Sequence, residues 1–68
     1  ITSIELNFQG LTGSIPPEIG NLTNLAYLNL NYNQLTGEIP QEVCDLIESN
    51  NLGMWNILSE NNLTNTCE

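Results

Sequence analysis

Few groups in this 68-residue chain can do chemistry: eight carboxylates, two thiols, and the neutral amides and hydroxyls. Lys, Arg and His are all absent, so the formal net charge is −8. Without His there is no imidazole base for a Ser or Cys nucleophile. Cys44 and Cys67, again without His, cannot complete a four-ligand zinc site. A paired count of two, with nothing else to ligate a metal, reads as one disulfide. The other reading, a redox-active thiol, lacks a neighbouring cation to favour the thiolate. A disulfide implies an oxidising location outside the cytoplasm. Two acids roughly 5 to 10 Å apart could hydrolyse a glycosidic bond. Glu18 and Glu42 are equivalent residues of a repeat, but they sit beside a surface turn with no pocket implied. Symmetric repetition explains them better than catalysis. Glu42, Asp45 and Glu48 offer carboxylates to calcium, but no calcium-loop motif surrounds them. The chain therefore reads as no enzyme, with no cofactor and no metal.

The same charge balance narrows the partners. Nucleic-acid binding normally uses cationic side chains to displace phosphate counterions, and none is present. Attachment to an anionic membrane surface fails on the same ground. No stretch reaches the ~18 to 20 apolar residues of a membrane span. The first residues carry no basic-then-apolar signal pattern. Ile1 falls inside an apolar pattern, as expected of a piece of a longer precursor. At this length a single core supplies only a few kcal/mol, so a staple is expected.

A 24-residue shift aligns Ile1 to Asn24 with Leu25 to Glu48, and nine of the 24 positions are identical. Apolar positions match in kind: Ile4 with Leu28, Leu11 with Leu35, Ile19 with Val43. A third, shortened copy aligns Leu58, Asn61 and Leu63 with Leu30, Asn33 and Leu35 at a shift of 28. These copies predict units over 1–24, 25–48 and 49–68. Ile4 to Asn7 and Leu28 to Asn31 alternate apolar and polar, the period of a half-buried strand. Asn33 and Asn61 follow, with Gln9 in the first copy. Buried amides there would bond backbone groups where the chain leaves the strand, forming an asparagine ladder. Thr12-Gly13 and Thr36-Gly37 read as turns, since Gly takes positive φ readily. Asn65 replaces that Gly in the third copy, as the next most tolerant residue. Pro16-Pro17 and Pro40 read as openings of short helical turns. Leu52, Met54, Trp55 and Ile57 read as a lid over the end of the last repeat.

The spacing LxxLxLxxNxLTGxIPxxIGNLTNL resembles the plant-type leucine-rich repeat. Leu25 to Leu46 carries it almost in full as LAYLNLNYNQLTGEIPQEVCDL. The resemblance is strong from Ile1 to about Glu48 and weak from Ile57 to Asn65. Such repeats occur in plant receptor-like kinases, polygalacturonase inhibitors and bacterial surface proteins. Two departures stand out: Cys44 replaces the glycine, and the third copy lacks Ile-Pro. The family closes its arrays with a paired-cysteine cap, and Val43 to Glu68 is read as that cap.

The resemblance implies an α/β fragment of a right-handed solenoid. Two or three short strands would form one parallel sheet, with turns and 3₁₀ pieces on the convex side. It also implies a concave ligand face made by the outward strand residues: Ser3, Glu5, Asn7 and Phe8, then Tyr27, Asn29, Asn31 and Tyr32. Protein or glycan recognition outside the cell, on a secreted or cell-surface protein, is the expected function. The alternative is a structural subunit that stacks on copies of itself. That stacking would use the uncovered side of the first repeat: Ile4, Leu6, Leu11, Ile15, Ile19 and Leu22. Asn21-Leu-Thr23 and Asn62-Leu-Thr64 fit the N-glycosylation pattern, occupied or bare according to source.

Overall fold

The computed structural model describes residues 1–67. Strand β1 (Ser3–Glu5) pairs in parallel with β3 (Tyr27–Asn29), Ser3 opposite Tyr27. That offset equals the 24-residue repeat, so the copies stack one beside the other. Where a third strand would continue the sheet, the short helix α2 (Trp55–Leu58) stands instead. The Asn56 carbonyl accepts the Leu30 N–H at 2.8 Å, so α2 satisfies an edge group that a strand would otherwise take.

One sheet was expected and two are present. The second is parallel and three-stranded, in the order β2 (Thr12–Gly13), β4 (Gln34–Glu38), β5 (Asn62–Thr64). It uses the segments read above as turns. Thr12 lies opposite Gln34, and Thr36 opposite Asn62. The Thr-Gly signal was right about the backbone, since Gly13 and Gly37 have φ of 82° and 89°. It was incomplete about the pairing, because a chain can bend at a glycine and still donate and accept at its neighbours. Asn65 does not take a positive φ. Its side-chain oxygen accepts the Cys67 N–H at 3.0 Å, so it turns the chain through a side-chain bond.

Pro16 and Pro40 stand immediately before helices, as expected. A 3₁₀ helix spans Pro17–Asn21, and helix α1 spans Gln41–Ser49. The second is a full α-helix where a short turn was anticipated. It buries Val43, Cys44, Leu46 and Ile47. Gly20 explains how closely the 3₁₀ helix and α1 pack: a Cβ there would lie 2.7 Å from both the carbonyl oxygen and Cβ of Glu42. The equivalent residue in the second copy is Cys44, buried on α1. Its sulfur closes the bond to Cys67, 23 residues on. Asn50, capping α1, donates to the Thr23 and Leu25 carbonyls at 3.0 and 2.7 Å, tying the helix to the approach of β3.

The core is aliphatic apart from Cys44, with Leu25, Leu28, Val43 and Ile57 fully enclosed. All four aromatic residues lie outside it. Leu52 and Ile57 do close the end of the stack, with Met54 half-buried. Trp55 does not join them and is 75 % exposed. It opens a four-residue helix, so its side chain leaves from the other side of the turn that buries Ile57. No helix among the described residues is long and apolar enough to cross a membrane.

Candidate functional site

The strand side of the molecule is held in shape by an amide ladder. Asn33 is buried, and its Oδ1 accepts the N–H groups of Gln9 and Leu11, both at 3.0 Å. Its Nδ2 donates to the carbonyls of Leu6, Leu30 and Asn31 at 3.0, 2.9 and 3.2 Å. Asn61 repeats the device one copy on, accepting from Leu35 N–H at 3.1 Å and donating to Leu30 and Ile57 at 2.8 and 2.9 Å. Each amide bonds its own turn and the previous one, so the copies are sewn together through backbone groups. Gln9 is exposed and bonds only Asn7 O through its side chain, at 3.3 Å.

Immediately before Gln9, Asn33 and Asn61 stand residues in the left-handed region: Phe8, Tyr32 and Glu60, with φ of 58°, 57° and 57°. Aromatic residues are rarely found there. The bonds from Phe8 N–H to Asn31 O (3.3 Å) and Tyr32 N–H to Ser59 O (3.1 Å) fix the turn. The Phe8 and Tyr32 rings stack, with centroids 4.4 Å apart and planes 11° from parallel. Both rings are exposed.

Ser3, Glu5 and Tyr27 are exposed on the paired strands, and Asn7 and Asn31 are half-buried. Asn29 departs from the expected exposed face: only 8 % of its surface is open. Strand β3 is flanked by β1 on one side and α2 on the other. The Asn29 amide donates to the Tyr27 hydroxyl at 3.1 Å and its oxygen accepts Asn31 N–H at 3.2 Å. It is a brace for the face rather than a free contact group. Asn31 Oδ1 is buried without a hydrogen-bond partner.

Four of the six residues expected to be uncovered at the first repeat lie together. Leu6, Leu11, Ile15 and Ile19 ring a hollow of about 250 Å³ at the first repeat, floored by Leu30 and Leu35. Leu6 is exposed, and Ile4, Leu11, Ile19 and Leu22 are half-buried. Ile15 is not uncovered as expected: it is 2 % exposed, part of the core cluster with Leu35 and Ile39. Ile4 and Leu22 do not line the hollow.

Asn21 and Asn62 are both exposed, the first ending the 3₁₀ helix and the second opening β5. Cys44 and Cys67 form the disulfide. Glu42 and Asp45 share a shallow hollow with Asn21 and Asn50, but Glu18 does not line it. Asp45 accepts a hydrogen bond from Gln41 at 2.9 Å. Among the described residues no three acids or thiols converge as a metal site.

The strand offset, the ladder and the helical turn after Ile-Pro together define the second copy. Residues 24–46 match the protein-family model described as Leucine Rich Repeat. The match covers about a third of the chain and supports a leucine-rich repeat from Asn24 to Leu46, a kind of unit that generally serves protein interaction. No curated protein and no solved structure matches the chain.

Sequence reading missed the stacked rings, their left-handed backbone and the place of Glu60. The alignment at a shift of 28 that pairs Asn61 with Asn33 also pairs Glu60 with Tyr32, so that signal was present. Asn50 lies outside the copied pattern, and nothing in the repeat marked it.

Proposed function

We propose that this chain is a non-catalytic leucine-rich repeat module that recognises a protein through its concave strand side, working outside the cell or at its surface. One observation carries the reading: the exposed Phe8–Tyr32 stack, set beside the exposed strand residues Ser3, Glu5 and Tyr27. Aromatic side chains offer large contact area and are enriched where binding energy concentrates. The repeat match at residues 24–46 supports interaction rather than chemistry. The Cys44–Cys67 disulfide supports an oxidising compartment. Selection of binders from a random peptide library displayed against the chain tests the reading. Selected peptides should lose affinity for a Phe8→Asn, Tyr32→Asn double variant and keep it for Glu18→Gln. Binders that ignore the double variant would move recognition elsewhere.

A second reading, stacking on further copies, is favoured by the hollow ringed by Leu6, Leu11, Ile15 and Ile19. Apolar surface of this kind is a common assembly site. Concentration-dependent mass in sedimentation, abolished by Leu11→Glu, would support it; a monomer throughout would remove it.

A further inference from the structure

We propose that the row Phe8, Tyr32, Glu60 takes a Lys- or Arg-bearing segment of a partner protein, the cation lying against the Tyr32 ring within reach of the Glu60 carboxylate. This rests on the reading that the strand side recognises protein, and it names the chemistry of that partner.

The row is built, not incidental. Its three members occupy the same place in successive copies and share one backbone conformation, with φ of 58°, 57° and 57°. The Phe8 N–H bonds Asn31 O and the Tyr32 N–H bonds Ser59 O, so each member sits one copy along from the one before. Phe8 covers one face of the Tyr32 ring at 4.4 Å. In the next copy the equivalent residue is Glu60. The row thus runs ring, ring, carboxylate. Phe8 and Tyr32 are 67 % and 47 % exposed, and Glu60 is exposed too.

The face of an aromatic ring carries negative charge density and attracts ammonium and guanidinium groups. A carboxylate beside it adds a charge-assisted hydrogen-bond acceptor. The chain has no Lys, Arg or His, so no cationic side chain of its own can satisfy this pairing. Its net charge of −8 steers cations toward the surface and repels acidic partners. Glu5, exposed on β1, adds a further carboxylate to the strand side, in the copy that carries Phe8. The conformation adds weight. Gly or Asn would occupy this left-handed position at lower cost, yet two copies carry rings there.

Nuclear magnetic resonance titration tests the proposal, using a Gly/Ser peptide with two arginines at about physiological ionic strength, where unspecific attraction is screened. The same peptide with both arginines replaced by glutamine is the neutral probe. The arginine peptide should produce saturable shifts in the Phe8 and Tyr32 ring signals and at Glu60. Tyr32→Asn preserves the backbone, because Asn tolerates positive φ, and should weaken binding about two- to fivefold. Glu60→Gln should weaken it similarly, whereas Glu18→Gln, the same change of charge on the 3₁₀ helix, should leave it unaltered. Equal losses from Glu60→Gln and Glu18→Gln would mean diffuse charge attraction and overturn the proposal. Ring shifts with the neutral peptide alone would also overturn it, while leaving recognition on this face intact. If neither peptide, nor any library-selected binder, touches the rings, both readings fall.

Discussion

Replacing Asn33 with Ala should cost this chain most of its stability. The buried amide makes five bonds to backbone groups: two accepted from Gln9 and Leu11, three donated to Leu6, Leu30 and Asn31. A typical bond of this kind contributes about 1 kcal/mol net, and a buried group left unpaired costs about 1 to 3 kcal/mol. The two N–H groups have no evident substitute, whereas some carbonyls can turn to water. The expected loss is about 3 to 5 kcal/mol, comparable to the whole stability of a domain this small. Asn33→Asp should be nearly as harmful. It keeps two acceptor contacts but sets a carboxylate oxygen against three carbonyl oxygens. Asn61→Ala should cost about 1 kcal/mol less than Asn33→Ala, since Asn61 accepts only from Leu35 N–H. Gln9→Ala should change stability by less than about 0.5 kcal/mol, as an exposed substitution. Urea unfolding followed by circular dichroism gives the order, with every variant measured in the same concentration of stabilising sulfate so that all begin folded. An Asn33→Ala variant within about 1 kcal/mol of the parent, or no worse than Gln9→Ala, would show that the ladder does not hold the copies together.

Other perturbations have equally definite outcomes. Reduction of Cys44–Cys67 releases a loop of about 24 residues, worth roughly 3 kcal/mol in the chain-entropy account. Thermal melting with and without reductant should show a large fall in midpoint, and an unchanged midpoint would contradict it. Gly20→Ala should destabilise by about 1 to 3 kcal/mol, because its Cβ would meet the Glu42 backbone; denaturant titration reads this directly. Added salt should promote association by screening the −8 charge, with light scattering at low and high salt as the measure. Salt-independent scattering would refute charge as the restraint.

The repeat period carried much of the fold. A 24-residue spacing of alternating strands predicted the pairing of Ser3 with Tyr27, and it is observed. The ladder was legible because a polar residue recurring after an apolar strand must find buried partners. The paired cysteines announced their bond. Less visible was the second sheet, because Thr-Gly signals a bend without saying what the flanking amides pair with. The burial of Asn29 was hidden because strand alternation specifies a direction, not what else stands there. Trp55 misled for a similar reason. Its neighbours Leu52 and Ile57 are core, but a helical turn distributes consecutive residues around its axis, and Trp55 fell outside. On the candidate site, the adjacency of Phe8 and Tyr32 was readable from the period. Their left-handed backbone was not, since local preference argues against rings at that position and bonds to the next copy fix it.

The two sheets keep different time. On the strand side, β1 and β3 pair at the full 24-residue offset. In the second sheet, β2 pairs with β4 at an offset of 22, two residues short of that period. Strand β4 pairs with β5 at 26, again two short of the 28-residue step. Two residues of strand correspond to about 7 Å of slippage at each step. Because the slip is even, side chains keep their faces and the core survives it. The arc from the first sheet to the second therefore shortens, from nine residues between Ser3 and Thr12 to seven between Tyr27 and Gln34, so successive copies of this chain are not interchangeable units.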